Sequence, residues 1–81
     1  MKEYVFSGEC SGELYRSKSL VDMYKTSKEI KEFDRKNGIK DTYYYEVENV
    51  SNEKDERGHT IVYSQQVKIY RRGNKLFCRG V

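Results

Sequence analysis

The chain contains no proline, no tryptophan and no alanine, and it has only two cysteines and one histidine. The usual core-building residues are also few, because 81 residues include seven valines, four isoleucines, three leucines and three phenylalanines. This share is close to the roughly 20% below which chains tend to stay disordered. Eight tyrosines favour a folded chain all the same, since each ring buries an apolar body while its hydroxyl stays hydrated. At this length we expect a single domain over residues 1–81.

Long apolar runs are absent as well. No run approaches the roughly 18 residues that span a bilayer, and residues 1–3 lead into no apolar signal-peptide segment. We therefore expect a cytoplasmic protein with no membrane partner. In that compartment Cys10 and Cys78 are reduced, whereas in a secreted protein they could form one disulfide. The sequence leaves open whether the two sulfur atoms lie close together.

Side chains suited to catalysis are scarce. His59 follows Gly58 at the end of an acidic segment, where no nucleophile is marked for it to activate. Neither cysteine has a neighbouring base, and two isolated cysteines do not match the spacing of zinc ligands. The chain has no glycine-rich phosphate loop. The sequence thus predicts a protein that is not an enzyme and that holds no metal or cofactor.

Local patterns predict an α+β fold, with one helix packed on a three- to five-stranded antiparallel sheet. Residues 4–6 and 13–16 are β-prone and are separated by Ser-Gly turns, which indicates an N-terminal hairpin. The helix has two candidate starts, a capping box at Thr26 and a weaker one upstream at Ser19. Its apolar face is predicted to carry Ile30 and Phe33, and it should end at Asn37 and Gly38.

The second half of the chain alternates with the period of β-strands. In residues 42–50 one face carries Tyr43, Tyr45 and Val47, and the other carries Tyr44, Glu46 and Glu48. Residues 51–58 are polar and are predicted to form an exposed loop. Residues 60–71 alternate again, with Val67 and Ile69 on one face and Gln66, Lys68 and Tyr70 on the other. A tight turn at residues 72–75 leads into a final strand at residues 76–78.

Charge is distributed unevenly along the chain. Residues 41–59 hold six acidic and two basic side chains, whereas residues 60–81 hold five basic side chains and no acidic one. Cations and an exposed tyrosine on one strand pair neutralise phosphates and stack a base, which favours binding of RNA or single-stranded nucleic acid. The predicted contact residues are Lys68, Tyr70, Arg71, Arg72, Lys75 and Arg79. A second basic line is predicted on the helix, formed by Lys28, Lys31 and Arg35.

The acidic segment supports an alternative. Residues 46–56 would occupy a basic groove of a host enzyme, and the protein would then be a protein-only inhibitor that uses residues 41–59 as a nucleic-acid mimic. Unpaired sheet edges also favour pairing between two copies of the chain, so we expect a homodimer. Such a dimer would double the basic surface offered to nucleic acid.

In composition the chain resembles the small accessory proteins of AT-rich, T4-like tailed phages. The resemblance extends over all 81 residues, which are rich in lysine, glutamate, asparagine and tyrosine and lack alanine and proline. It implies a non-enzymatic binding protein of the host cytoplasm that serves host takeover, counter-defence or toxin inhibition. The implied partner is a host protein such as a nuclease or a toxin. The resemblance assigns no site residues.

Overall fold

Five strands and one helix account for most of residues 2–81, the part of the chain that the computed structural model describes, the side chain of Asn52 excepted. In chain order they are β1 (Lys2–Gly8), β2 (Gly12–Ser17), α1 (Leu20–Lys36), β3 (Tyr43–Lys54), β4 (Thr60–Arg72) and β5 (Lys75–Gly80). The strands form one antiparallel sheet in the order β2-β1-β3-β4-β5. The helix packs on this sheet, chiefly against β1 and β2. The predicted α+β fold is confirmed.

The sheet has one face with a helix and one face without. Phe6 is paired with Tyr15 in β2 and with Tyr45 in β3, so these three side chains share a face. The helix lies on that face, because Ser27 Oγ of α1 is 2.7 Å from the Tyr45 hydroxyl oxygen. We call this side of the sheet the helix face and the opposite side the open face.

The helix begins at the upstream one of its two candidate starts. Ser19 is the N-cap, and its hydroxyl accepts a hydrogen bond from the amide of Asp22 at 3.2 Å. The capping box at Thr26 is therefore wrong, since Thr26 lies inside the helix with its hydroxyl 3.4 Å from Asp22. The predicted end is confirmed, with Asn37 as C-cap and Gly38 in the left-handed region at φ +70°.

The buried stripe of α1 is more polar than predicted. Met23 and Ser27 are fully buried and Asp34 is nearly so, whereas Phe33 is 63% exposed. Ser27 and Asp34 are stable there because tyrosine hydroxyls of the sheet bond to them, Tyr45 to Ser27 and Tyr43 to Asp34. The prediction that Phe33 lies in the core is wrong. The side of the helix that carries Ser27 and Asp34 faces the sheet, and Phe33 lies outside that side and is exposed to solvent.

Phe6 is the centre of the core. Its ring is completely buried and lies 5.3 Å from the Tyr43 ring and 5.2 Å from the Tyr45 ring, measured between centroids. Val47, which follows Tyr45 on the same face of β3, and Val67, which is opposite Tyr45 on β4, are also buried. Tyrosines thus supply much of the apolar volume that the few aliphatic residues do not.

The hairpin of β3 and β4 is longer than predicted. Pairing continues to Lys54 with Thr60, past an irregularity that begins after Val50, so the loop comprises residues 55–59 and not residues 51–58. Asp55 closes this short loop, since its Oδ1 accepts hydrogen bonds from the amides of Arg57 and His59, both at 2.9 Å. The hairpin of β4 and β5 matches its prediction, with a turn at residues 73–74.

Candidate nucleic-acid interface

The basic residues of the last two strands form cross-strand pairs on the open face. Lys68 is opposite Arg79, Tyr70 is opposite Phe77, and Arg72 is opposite Lys75. Directly opposed side chains in an antiparallel pair have Cβ atoms about 4.5–5.5 Å apart, so each pair forms one patch. We call these six residues the basic ladder: Lys68, Tyr70, Arg72, Lys75, Phe77 and Arg79.

The middle step of the ladder is aromatic. The Tyr70 and Phe77 rings are stacked, with centroids 5.5 Å apart and an interplanar angle of 21°. They are 38% and 39% exposed, although neither is at a chain end or in a loop. Two ring faces are therefore displayed to solvent between two pairs of cations. Phe77 was not among the residues predicted for the site, yet the turn at residues 73–74 sets it opposite Tyr70.

The cations of the ladder face one another without an acid between them. Within residues 2–81, the ion pairs do not include Lys68, Arg72, Lys75 or Arg79. Like charges set directly opposite each other in a sheet are destabilising. An anion bound across the pairs would remove that repulsion, which makes the open face of this hairpin a favourable position for phosphate groups.

Arg71 lies apart from the ladder. It is paired with Leu76 on the helix face, and its Nε donates a hydrogen bond to the carbonyl oxygen of Gly73 at 2.8 Å. The sequence prediction placed Lys68, Tyr70 and Arg72 on one strand face and counted Arg71 as close by, but successive residues of a strand project to opposite faces. The structure therefore brings together five of the six residues predicted at the C-terminal site and separates Arg71 from them.

The second basic line, on α1, is not brought to the ladder. Lys28 Nζ lies 4.3 Å from the centroid of the Tyr24 ring, and Arg35 forms an ion pair with Glu32 at 3.1 Å. Lys31 turns back toward the sheet, and its Nζ donates to the Tyr45 hydroxyl at 3.3 Å. All three side chains have local partners, and their helix packs on the opposite face of the sheet from the ladder.

A groove of about 560 Å³ adjoins the ladder. The register of β3 and β4 explains its position, because β4 is paired with β3 from Thr60 to Val67 and then continues to Arg72 beside β5. β4 thus extends past the beginning of β3 and leaves a recess there. Its open-face lining combines ladder residues with two residues that sequence reasoning did not select for the site, Tyr44 and Gln66.

The acidic residues of the chain are largely engaged within the fold. Arg16 binds three carboxylates, those of Glu3 at 2.8 Å, Glu13 at 2.7 Å and Glu48 at 2.9 Å. These hydrogen bonds raise the pKa of Arg16, and the bond from Arg16 lowers the pKa of Glu48. Glu46 accepts a hydrogen bond from the Ser64 hydroxyl at 2.6 Å.

Asp41 has a similar structural role at the turn between β1 and β2. Its carboxylate accepts from the Ser11 hydroxyl at 2.7 Å and from the Cys10 amide at 3.0 Å. These bonds, the Ser11 hydroxyl first, lower the pKa of Asp41. The carboxylate therefore holds the turn in place, and its oxygen atoms are already occupied.

The residues considered for catalysis, Cys10, Cys78 and His59, do not line the groove. Cys10 is exposed and Cys78 is half-buried, and both are free thiols. Burial raises the pKa of Cys78, which disfavours its thiolate. His59 Nδ1 is 3.9 Å from Asp55 Oδ2 in the loop that joins β3 to β4.

Comparisons with protein-family models, with curated proteins and with solved structures gave no match to this chain. Over residues 2–81, no helix has the length and apolar character needed to cross a membrane. Across the same residues, no group of three or more His, Cys, Asp and Glu side chains is arranged to hold a metal ion.

Proposed function

We propose that this protein is a small, non-enzymatic binding protein that contacts RNA or single-stranded nucleic acid through the basic ladder. One observation supports this more than any other: an exposed, stacked aromatic pair lies between two cation pairs that have no acidic partner within residues 2–81. Single-strand binding sites combine the same two elements, ring faces on which bases stack and cations along the path of the backbone.

The spacing of the ladder suits this function. Alternate residues of a strand are about 7 Å apart, so the cation pairs lie about 7 Å on either side of the Tyr70 and Phe77 rings. Long lysine and arginine side chains reach across that distance to the phosphates that flank a stacked base. Each stacked base contributes about 1–3 kcal/mol to binding, largely independently of sequence.

The compositional resemblance to phage accessory proteins supports a setting for this activity. The protein would act in the cytoplasm of a host cell and would inhibit a nuclease or a toxin there while bound to RNA. The alternative, a protein-only inhibitor that uses residues 41–59 as a nucleic-acid mimic, has less support. Glu48 is paired with Arg16, and the carboxylates of Asp41 and Glu46 already accept hydrogen bonds within the fold, so all three have fewer free acceptor positions for a partner. Pull-down from host lysate after nuclease treatment separates the two, since only the mimic keeps its partner without nucleic acid.

The salt dependence of binding tests the proposal. Binding is measured by fluorescence polarisation with a labelled RNA of about 12 nucleotides, a length within the site sizes of single-strand binders. If each of the four ladder cations contacts one phosphate of a single strand, the slope of log K against the logarithm of the salt concentration should be about −2.8. Affinity should then fall about 50-fold between 50 mM and 200 mM salt. Absence of binding at 50 mM salt would contradict the proposal.

Adjacent arginines provide a matched pair of variants. Arg72→Gln removes a cation from the open face, and we expect weaker binding and a salt slope reduced by about 0.7. Arg71→Gln removes the same charge from the helix face of the same strand, so the slope should stay at about −2.8 and the affinity within about twofold of wild type. Equal losses in the two variants would mean that binding depends on net charge and not on the ladder.

A further inference from the structure

The groove beside the ladder carries polar groups without partners. Within residues 2–81, neither the Tyr44 hydroxyl nor the side-chain amide of Gln66 makes a hydrogen bond. Both residues lie on the open face, because they are adjacent in their strands to Tyr45 and Val67, which are paired with each other on the helix face. Both also line the groove. A free amide next to a cluster of cations is able to recognise a ligand that the cations attract.

An acidic side chain also lies close to this groove. Glu46 is opposite Gln66, and its carboxylate is bonded to the hydroxyl of Ser64, which lies farther from the ladder along β4. Glu46 lines an adjoining, more polar recess with Glu9 and Thr42, and that recess shares Tyr44 and Gln66 with the groove. The groove itself is lined by three cations, Lys68, Arg72 and Arg79, and by no acidic side chain among the described residues. Its electrostatic character therefore suits a phosphate-bearing ligand.

The size and chemistry of the groove suit one nucleotide. Its volume of about 560 Å³ is within the range of small-molecule sites. Tyr44 and Tyr70 supply ring faces for a base, and the cations lie where its phosphate would be. The Gln66 amide presents a donor and an acceptor side by side, which matches the N6 and N7 groups of adenine in a bidentate pair.

We infer that the groove holds one unpaired base of a single strand, with Gln66 reading its edge, and that adenine is preferred. The inference rests on the proposed function, because the ladder must first hold the strand. It also predicts a preference for single strands over duplexes. A base paired and stacked in a helix cannot enter the groove, and the major groove of A-form RNA is too deep and narrow for side chains to read.

Polarisation titrations with homopolymers of about 12 nucleotides test the inference. The probes are oligoadenylate, oligouridylate and oligocytidylate as RNA, the same series as DNA, an abasic strand and an A·U duplex. We expect oligoadenylate to bind about 10-fold more tightly than oligouridylate in both the RNA and the DNA series, since the contact is to the base. We expect the abasic strand and the duplex to bind more weakly than oligoadenylate.

Two glutamine variants separate base reading from strand binding. Gln66→Leu should lower oligoadenylate affinity about 10-fold to the oligouridylate value and leave oligouridylate affinity unchanged, which also shows that the variant is folded. Gln65→Leu is the matched control, because Gln65 is paired with Val47 on the helix face, and it should keep the adenine preference.

The two proposals fail in different ways. Equal affinity for all three homopolymers and the abasic strand, still dependent on Arg72, would overturn the base site and leave the proposed function in place. An adenine preference that survives Gln66→Leu would also overturn the assignment to Gln66. No binding to any probe at low salt would overturn the proposed function itself.

Discussion

The like charges of the basic ladder predict that Lys68→Glu makes the protein more stable. Lys68 is opposite Arg79, so the substitution converts a repulsive cross-strand pair into an attractive one. An opposite-charge pair contributes about 0.2–1 kcal/mol, and the like-charge pair that it replaces is destabilising by a similar amount. The expected gain is therefore about 1 kcal/mol in the free energy of unfolding. For a domain of this size it corresponds to a Tm higher by about 4–8 °C.

Thermal unfolding followed by circular dichroism at low and high salt measures this gain. Both the repulsion and the new attraction are between exposed charges, so salt at about 1 M, where the Debye length is about 3 Å, should remove most of the difference. Lys68→Gln is the control, because it relieves the repulsion without adding an attraction and should give about half of the gain. A Lys68→Glu protein that is less stable than wild type at low salt, or whose advantage persists at high salt, would refute the reasoning.

The same substitution should weaken nucleic-acid binding, because a carboxylate would then face the phosphates. Stability and affinity would change in opposite directions in one variant. Such a trade-off is expected where a binding site keeps an arrangement that the isolated fold does not favour. If Lys68→Glu were to raise the Tm without loss of affinity, the ladder would not be the binding site.

Two further predictions concern the tyrosines and the sheet edges. The hydrogen bond to Asp34 raises the pKa of Tyr43 to about 12, above its ordinary value of 10.0. The contribution of this bond to the stability of the folded protein is therefore complete below pH 10 and is lost as the pH rises toward 12. Absorbance titration of tyrosinate should show a late phase that Tyr43→Phe reduces, since the hydrogen bond to Asp22 raises the pKa of Tyr15 as well; simultaneous ionisation of all tyrosines near pH 10 would contradict the assignment. We also expect a two-fold dimer, since β2 and β5 are the sheet edges; sedimentation at micromolar concentration that finds only a 9.7 kDa monomer would exclude it.

The sheet could be predicted from the sequence because its signals are local. Alternation over β3 and β4 assigned Tyr45 and Val67 to one face and Lys68 and Tyr70 to the other, and strand pairing confirms both assignments. The turn at residues 73–74 then determines which residues of β5 oppose those of β4. Most of the ladder follows from these two facts, and the same alternation puts Arg71 on the opposite face, although it was counted among the contact residues.

The helix and the groove depend on contacts between distant residues. The hydrophobic pattern of α1 favoured Phe33 as a core residue, since no local rule indicates that sheet tyrosines bond to Ser27 and Asp34. The groove arises because β4 extends past the beginning of β3, and the length of that overhang depends on the pairing register. Alternation placed Gln66 on the face of Lys68 and Tyr70, but no feature of the sequence indicates that it lines a groove.

The hydrogen bonds from Tyr43 and Tyr45 to α1 have a consequence for how the helix is oriented. Ser27 and Asp34 are seven residues apart, about 10 Å along the helix axis, and each is bonded to a different tyrosine of β3. Two separate anchor points prevent the helix both from sliding along the sheet and from pivoting on it, which a small apolar contact would allow. Phenylalanines in place of Tyr43 and Tyr45 would fill the same volume and remove both of these anchors, leaving the helix with the hydrogen bond from Tyr15 of β2 to Asp22. In this protein, therefore, the shape of the core determines that the helix packs on the sheet, and tyrosine hydroxyl groups determine where.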